Sequence, residues 1–224
     1  MRTARGPVPG RDVALRLPPV GEGRRRPAGF PGRVPYPATM AHTFDAAHAD
    51  RLDDVGRYRY CSREELVGML DPTPDDVVAD LGSGTGFYTV DVAPYVSTLY
   101  GVDVQPVMHE LFAEKGLPGN VELVTAEVAD LPLAEDALDR AYSTMTFHEF
   151  AGTGALAELA RVIRPGGRLV SVDWSAAGAS ESGPPLGERH DLDSAVDLVR
   201  DAGFSIVSSD ERPETFAMVA DLPG

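Results

Sequence analysis

The segment Val77–Thr89 constrains the fold more than any other part of the sequence. It opens with a short apolar run rich in β-branched residues, which is typical of a buried strand. Asp80 closes this run, and glycines follow at positions 82, 84 and 86. Glycine lets the backbone turn sharply and lets a ligand approach where a side chain would block it. The segment therefore predicts a strand, a ligand-binding turn and a helix whose first N–H groups are free for a polar or anionic group.

The glycine spacing separates this turn from the dinucleotide-binding pattern, which is G-x-G-x-x-G. Here the spacing is G-x-G-x-G, and an acid precedes it. A carboxylate in this place would repel a pyrophosphate, but it suits a ligand that carries a cation, such as an amino-acid ammonium group. The residues Asp80–Gly86 resemble motif I of the class I S-adenosylmethionine-dependent methyltransferases. The alternative interpretation is a glycine-rich turn in another kind of α/β protein.

A second predicted strand, Thr98–Asp103, also ends in an acid. One carboxylate can accept both hydroxyl groups of a ribose, because its two oxygens lie in one plane. The alternative for Asp103 is a cap on the helix that follows Gln105. Two strand-terminal acids at this separation strengthen the resemblance to the methyltransferases.

The resemblance implies S-adenosylmethionine as the cofactor, with Asp80 acting on its methionine ammonium group, mostly through water or the loop. Ala126–Leu133, after the third predicted strand, resembles the adenine-binding segment of the family. In that register Glu127 accepts the adenine amino group and the N–H of Val128 meets a ring nitrogen, with Asp130 as the competing acid. The implied cofactor-binding residues are Asp80, Gly82, Ser83, Gly84, Gly86, Asp103, Val104, Glu127, Val128 and Ser143.

The fourth predicted strand, Ala137–Ser143, leads into Thr144–Phe150, where the family places residues on the substrate side. His148 is the candidate general base, because a histidine titrates near neutral pH. Its alternative role is packing or hydrogen bonding. Residues 175–190 are predicted to form either a lid or a plain surface loop. The substrate-side candidates are Tyr88, Met145, Glu149, Trp174 and Arg189.

The predicted fold is a Rossmann-like α/β class I methyltransferase fold. Its sheet has seven strands, is mainly parallel, and contains one antiparallel strand near the C-terminus, since residues 204–208 and 215–220 suggest a hairpin. The resemblance covers roughly residues 75 to 220. Residues 1–39, rich in Pro, Gly and Arg, are predicted to be a disordered basic extension, with Met40 as the preferred true start. Residues 40–74 are predicted as a helical cap and 75–224 as the cofactor-binding domain.

The charge and composition of the chain limit the kinds of partner and binding site that it can have. The chain has a net charge of −15, and its only lysine is Lys115. Such acidity suggests a protein adapted to high salt and argues against nucleic acid as a partner. The single cysteine, Cys61, excludes an internal disulfide and a cysteine-based zinc site, which fits a cytoplasmic protein. No metal-ligand cluster is evident, and no apolar run is long enough to span a bilayer.

The sequence therefore predicts a methyltransferase that acts on a small-molecule acceptor. It resembles the broad class (methyltransferase type 11) that includes enzymes of ubiquinone and menaquinone biosynthesis. Two alternatives stay open. One is a regulator that binds S-adenosylmethionine without transferring a methyl group. The other is an NAD(P)-dependent oxidoreductase, which the glycine spacing and the C-terminal hairpin disfavour.

Overall fold

The computed structural model describes residues 44–224, so the predicted extension over residues 1–39 lies outside the described part of the chain. Within residues 44–224, seven strands form one sheet. They are β1 Val77–Leu81, β2 Thr98–Asp103, β3 Val121–Thr125, β4 Leu138–Thr144, β5 Ile163–Trp174, β6 Ser205–Glu211 and β7 Thr215–Asp221. The α-helices are α1 Arg63–Leu70, α2 Thr89–Val92, α3 Pro106–Glu114, α4 Phe147–Phe150, α5 Thr153–Val162 and α6 Leu192–Asp201.

The strand order is β3-β2-β1-β4-β5-β7-β6. β1 pairs in parallel with β2 and β4, and β7 pairs antiparallel with both β5 and β6. β7 is thus the one reversed strand, as predicted for a class I methyltransferase sheet. The carboxyl ends of β1, β2 and β4 meet at one edge, which is where ligands bind in open α/β sheets.

Helices cover both faces of the sheet, and successive side chains of a strand point to opposite faces. On β1, Val78 packs with α1 and α3, through Leu66 and Phe112 for example. Its neighbour Ala79 packs on the other face with α5 and α6, through residues such as Leu159. Helices on both faces of the sheet therefore fix the position of β1.

The first crossover helix is short and does not start directly after the glycines, because α2 covers only Thr89–Val92. The reason is the glycine turn, in which Gly84 and Gly86 have positive φ angles of 52° and 84°. These left-handed conformations cannot continue a right-handed helix.

The segment before the sheet also differs from the predicted run of helix. It consists of two 3-10 helices, Ala46–Asp53 and Val55–Arg59, followed by α1. Asp45 accepts a hydrogen bond from the N–H of Ala47, and Asp54 accepts one from the N–H of Gly56. Such local side-chain bonds favour turns over a continuous helix. No helix within residues 44–224 has the length and apolar character needed to cross a membrane.

Candidate active site

A cavity of about 720 Å³ lies at the carboxyl ends of β1, β2 and β4. The glycine turn and the 3-10 segment, defined as residues 46–59, both line this cavity. Asp53 attaches that segment to the turn, because its Oδ1 lies 2.8 Å from Thr85 Oγ1 and 2.6 Å from Lys115 Nζ. The N-terminal 3-10 segment and the loop around Gly183, which are far apart in the sequence, therefore line the same cavity.

The glycine turn is fixed against the end of β2. The N–H groups of Gly82 and Ser83 both donate to the carbonyl of Val102, over 2.9 and 2.8 Å. Gly82 has a φ of 77°, and a Cβ there would lie 2.3 Å from Cγ2 of Thr146. Only glycine can occupy this position without moving the chain.

Asp80 lies beneath this turn and is almost fully buried. Its Oδ2 accepts a hydrogen bond of 2.7 Å from Thr89 Oγ1, while its Oδ1 has no partner within the described residues. Burial raises the pKa of Asp80 to about 6, against the stabilising bond from Thr89. A buried carboxylate oxygen without a partner, in a residue that lines the cavity, suits a cationic group.

Asp103 stands at the end of β2 and also lines the cavity. Its Oδ2 accepts the N–H of Gly84 over 2.8 Å, and its Oδ1 accepts the N–H of Gln105 over 2.9 Å. Each carboxylate oxygen can accept a further hydrogen bond. The two backbone bonds thus hold Asp103 in one orientation and leave it able to receive hydroxyl groups.

The predicted adenine-binding segment forms another part of the wall. Val104, Glu127 and Val128 all line the cavity. Asp130, the competing acid, does not line it. Of the two acids that the sequence left open, only Glu127 is therefore in a position to meet a ligand.

His148 and Asp173 form a hydrogen-bonded pair at the opposite side of the cavity. His148 Nδ1 lies 3.0 Å from each carboxylate oxygen of Asp173, and the backbone N–H of His148 donates to Asp173 Oδ2 over 2.5 Å. Asp173 is completely buried. With Nδ1 directed at a carboxylate, Nε2 is the ring nitrogen left for a ligand.

Burial alone would lower the pKa of His148, but the hydrogen bond and charge of Asp173, helped by Glu149, raise this pKa overall. Glu149 Oε1 lies 3.9 Å from His148 Nε2. Burial raises the pKa of Glu149 to about 7. Both groups line the cavity, so a proton can be taken up or released there near neutral pH.

Three predicted site residues do not line the cavity. Ser143 is buried within β4, in the interior of the sheet. Gly86 is needed for packing, since a Cβ there would lie 2.3 Å from the ring of Phe112. Arg189 donates to the carbonyls of Pro184 and Ser182, over 2.7 and 2.5 Å, so it holds its own loop together. These three residues therefore lie outside the cavity lining, and their contacts with cofactor or substrate stay predictions.

The other substrate-side candidates, Met145, Glu149, Trp174 and Tyr88, do line the cavity. The hydroxyl of Tyr88, however, lies 3.0 Å from the carbonyl of Cys61, so the tyrosine presents its ring rather than its hydroxyl. The sequence analysis missed Asp173 and Arg57. Asp173 is the last residue but one of β5, so the signal of an acid near the end of a strand, as at Asp103 in β2, could have found it. Arg57 follows no recognisable pattern, because it lies in the 3-10 segment.

Residues 79–171 match the family model described as a methyltransferase domain. The chain has the class I methyltransferase fold. A crystal structure of a SAM-dependent methyltransferase from Aquifex aeolicus has the same fold. The two share a TM-score of 0.74 and 28% identity over 80% of this chain and all of that one.

Curated relatives of this chain include a demethylmenaquinone methyltransferase of Corynebacterium kroppenstedtii, 36% identical over 107 residues. That alignment covers 47% of this chain and 45% of the relative. The O-methyltransferase cnsE of Penicillium expansum is 28% identical over 205 residues, covering 77% of this chain and 74% of the relative. The chain thus spans about half the length of the first relative and about three quarters of the second. These two relatives differ in their names and in the extent of their matches, so they do not identify a methyl acceptor for this chain.

Gly86→Ala should lower stability without changing the ligand site of the folded protein. The left-handed φ of 84° and the Phe112 ring both oppose a Cβ, and the backbone alone costs about 1–2 kcal/mol. Chemical denaturation would measure the loss. Gly119→Ala is the matched control, because its Cβ would meet nothing within 4 Å and its backbone is not left-handed. Equal stability of the two variants would contradict the packing role of Gly86.

Proposed function

We infer that this protein is an S-adenosylmethionine-dependent methyltransferase that acts on a small-molecule acceptor. The observation that carries this inference is the arrangement of one cavity. It has a cation-seeking carboxylate and a glycine turn at one side, and a histidine oriented by a buried aspartate at the other. The sheet has the reversed β7 of the methyltransferase fold, so we do not retain the NAD(P)-dependent alternative.

The residues present fit S-adenosylmethionine. Asp80 offers a buried, unpartnered oxygen for the ammonium group, and the glycine turn leaves room that a Cβ at position 82 would fill. Asp103 is oriented to accept the ribose hydroxyl groups, and Glu127 with Val128 would hold the adenine. When bound, this cofactor supplies a methyl group on a positively charged sulfur, which is already activated for transfer.

The chain itself then has to align the acceptor, exclude water and manage a proton. His148 Nε2 is available to take the proton of a hydroxyl acceptor, since Nδ1 faces Asp173. The aromatic rings of Phe87, Tyr88 and Trp174 line the same cavity and can pack against an apolar acceptor body. His148 lies on the cavity wall, which favours methyl transfer over a purely cofactor-binding role.

Three finer features stay part of this proposal. Similarity to demethylmenaquinone methyltransferases of Corynebacterium kroppenstedtii and Mycobacterium sp. supports a relationship to quinone-type enzymes. The net charge of −15 with a single lysine supports adaptation to high salt. The single cysteine supports a cytoplasmic location.

Calorimetric titration of the full chain with S-adenosylmethionine and, separately, with NAD in molar potassium chloride tests the cofactor. We expect micromolar binding of S-adenosylmethionine alone. Binding of NAD, or of neither compound, would overturn the proposal. Incubation with S-adenosylmethionine and a panel of hydroxyl acceptors, followed by assay for S-adenosylhomocysteine, then separates a transferase from a binding protein.

Cofactor affinity should depend on pH through Asp80. Its pKa of about 6 in the free protein lies above the ordinary 3.8, so below pH 6 the carboxyl is protonated and cannot attract an ammonium group. Affinity should therefore fall as the pH drops below 6, by up to about tenfold per pH unit. Calorimetry between pH 5 and 8 would measure this. Asp80→Asn should give a flat profile, whereas Glu149→Gln should retain the slope; an unchanged slope in Asp80→Asn would exclude Asp80 as its origin.

The same raised pKa predicts the sign of the stability change in the free protein. Because the folded state binds the Asp80 proton more tightly than the unfolded state, the contribution of Asp80 to stability declines as the pH rises from about 4 through 6. S-adenosylmethionine should offset this decline, since it favours the ionised carboxylate. The unfolding temperature, measured with and without the cofactor at about pH 4 and about pH 6, tests this expectation.

A further inference from the structure

Within residues 44–224, three arginines of the 3-10 segment form no ion pair with a described carboxylate, whereas the other basic side chains of this range do. Residues 44–224 contain eleven arginines and one lysine. Eight of the arginines, and Lys115, form ion pairs with acidic side chains. The remaining three, Arg51, Arg57 and Arg59, form none with a described carboxylate. In a chain with so many acidic residues, this clustering of unpaired arginines calls for a physical explanation.

All three arginines line one hollow of about 380 Å³. Tyr60, Trp174, Ser182 and Gly183 complete much of its wall. Asp54 is the one acidic residue that lines it, and its Oδ1 already accepts the N–H of Gly56. The hollow therefore has an excess of positive charge.

This hollow adjoins the main cavity, because five residues line both: Arg51, Arg57, Tyr60, Trp174 and Gly183. The rings of Tyr60 and Trp174 stand at the junction, with their centroids 4.7 Å apart. A molecule that reaches from His148 into the hollow would therefore pass along aromatic surface before it meets the arginines.

The guanidinium of Arg57 is fixed by contacts within the protein and is not freely exposed to solvent. Its Nη1 donates to the carbonyl of Leu52 over 2.7 Å, and its guanidinium lies 5.2 Å from the ring centroids of Phe87 and Tyr88. Burial lowers the pKa of Arg57, which reflects the cost of a charge removed from water. An unpaired, half-buried guanidinium is unfavourable unless an anion arrives to pair with it.

Charge is distributed unevenly along the combined space. The acidic residues Asp80, Asp103, Glu127, Glu149 and Glu188 line only the main cavity, whereas the three arginines line the hollow, with Arg57 also close enough to Asp80 for their charges to attract. Arg59 is further oriented there, with Nη2 3.2 Å from Ser182 Oγ and its guanidinium 4.5 Å from the Tyr60 ring centroid. The acidic end suits a cationic cofactor group, and the basic end suits an anion on a different molecule.

We propose that Arg51 and Arg59, supported by Arg57, form a subsite for a carboxylate on the methyl acceptor. The acceptor is then a small molecule with a flat apolar body, a nucleophilic group that reaches His148 and a carboxylate at its other end. A carboxylate fits better than a phosphate, because Asp54 at the rim repels a second negative charge more strongly. This proposal rests on the proposed function, since it names the class of molecule that the same cavity methylates.

The test compares acids with their neutral amides on the full chain saturated with S-adenosylhomocysteine. The probes are 4-hydroxybenzoate, indole-3-acetate and octanoate, each titrated against the corresponding amide by calorimetry. We expect at least one acid to bind about tenfold more tightly than its amide, as for a charge-assisted hydrogen bond. Quenching of Trp174, the single tryptophan of the chain, provides a second readout at the junction.

The double variant Arg51→Gln/Arg59→Gln should abolish this preference for acids while binding of S-adenosylhomocysteine stays unchanged. Both side chains are exposed, so folding should be retained. The control is Arg63→Gln/Arg200→Gln, which removes the same charge from two exposed arginines that line neither space. The control should keep the preference, which separates a local subsite from the net charge of the protein.

Two results would overturn the subsite. One is equal binding of acid and amide for every pair. The other is weaker S-adenosylhomocysteine binding in the Arg51→Gln/Arg59→Gln variant with the acid preference intact, because the arginines would then hold the cofactor carboxylate. Failure of the unaltered protein to bind S-adenosylhomocysteine at all would instead count against the proposed function.

Discussion

His148→Ala should lower kcat for a hydroxyl acceptor by about 10²-fold or more while cofactor affinity stays nearly unchanged. The magnitude is that of a lost general base. The imidazole lines the cavity through Nε2, and Asp173 holds its other nitrogen at 3.0 Å. Steady-state kinetics and calorimetry with S-adenosylhomocysteine give the two quantities. His190→Ala is the matched control, since His190 is also half-buried but does not line the cavity.

Asp173→Asn distinguishes a proton-transfer role of His148 from simple packing. Asp173 raises the pKa of His148, and a base must be unprotonated to act, so the acid limb of the kcat profile should move to lower pH in this variant. A packing role would change kcat without moving that limb. Loss of cofactor affinity in His148→Ala would also contradict the assignment, because it would place the imidazole on the cofactor.

Asp103→Ala should weaken S-adenosylhomocysteine binding by about 1–3 kcal/mol, which is the range for a hydrogen bond to a charged group. Two effects combine in this variant. The ribose hydroxyl groups lose their acceptor, and the N–H of Gly84 loses the carboxylate that orients the glycine turn. Calorimetric titration of the variant and the unaltered protein would measure the difference.

Asp103→Asn separates these two effects, because an amide oxygen can still accept the N–H of Gly84. Asp130→Ala is the control for the lost charge, since Asp130 is exposed and does not line the cavity. Equal affinity of Asp103→Ala and the unaltered protein would rule out the ribose assignment. Weaker binding by Asp130→Ala would show that the adenine-side acids had been assigned in the wrong order.

The fold, and the presence of Asp80 and Asp103 in one cavity, were predictable because their signals are local. Asp80, next to the last residue of β1, and the glycines of the turn lie within a few residues of each other, and each has one physical reason to be there. Asp103 repeats the strand-terminal pattern at the end of β2. The antiparallel pairing of β6 and β7 followed from the turn predicted at residues 211–213 between two strand-like segments. These features need no knowledge of distant contacts.

The acceptor side was less predictable because it is assembled from distant parts of the chain. Arg57 reaches the cavity from a 3-10 segment that has no periodic pattern, and its contact with Met145 joins residues that are 88 positions apart in the sequence. Arg189 looked like a substrate ligand, but backbone carbonyls of its own loop capture the guanidinium. Ser143 was assigned from a family position, whereas the pleat of β4 turns it into the interior.

The junction between Asp53 and Lys115 gives this protein an unusual chemical handle. Lys115 is the single lysine of the chain, and its Nζ lies 2.6 Å from the carboxylate that also contacts Thr85 of the glycine turn. The side chain is about 41% exposed. An amine-reactive dye therefore has one side-chain target besides the α-amino group, and that target reports directly on the attachment of the 3-10 segment to the turn.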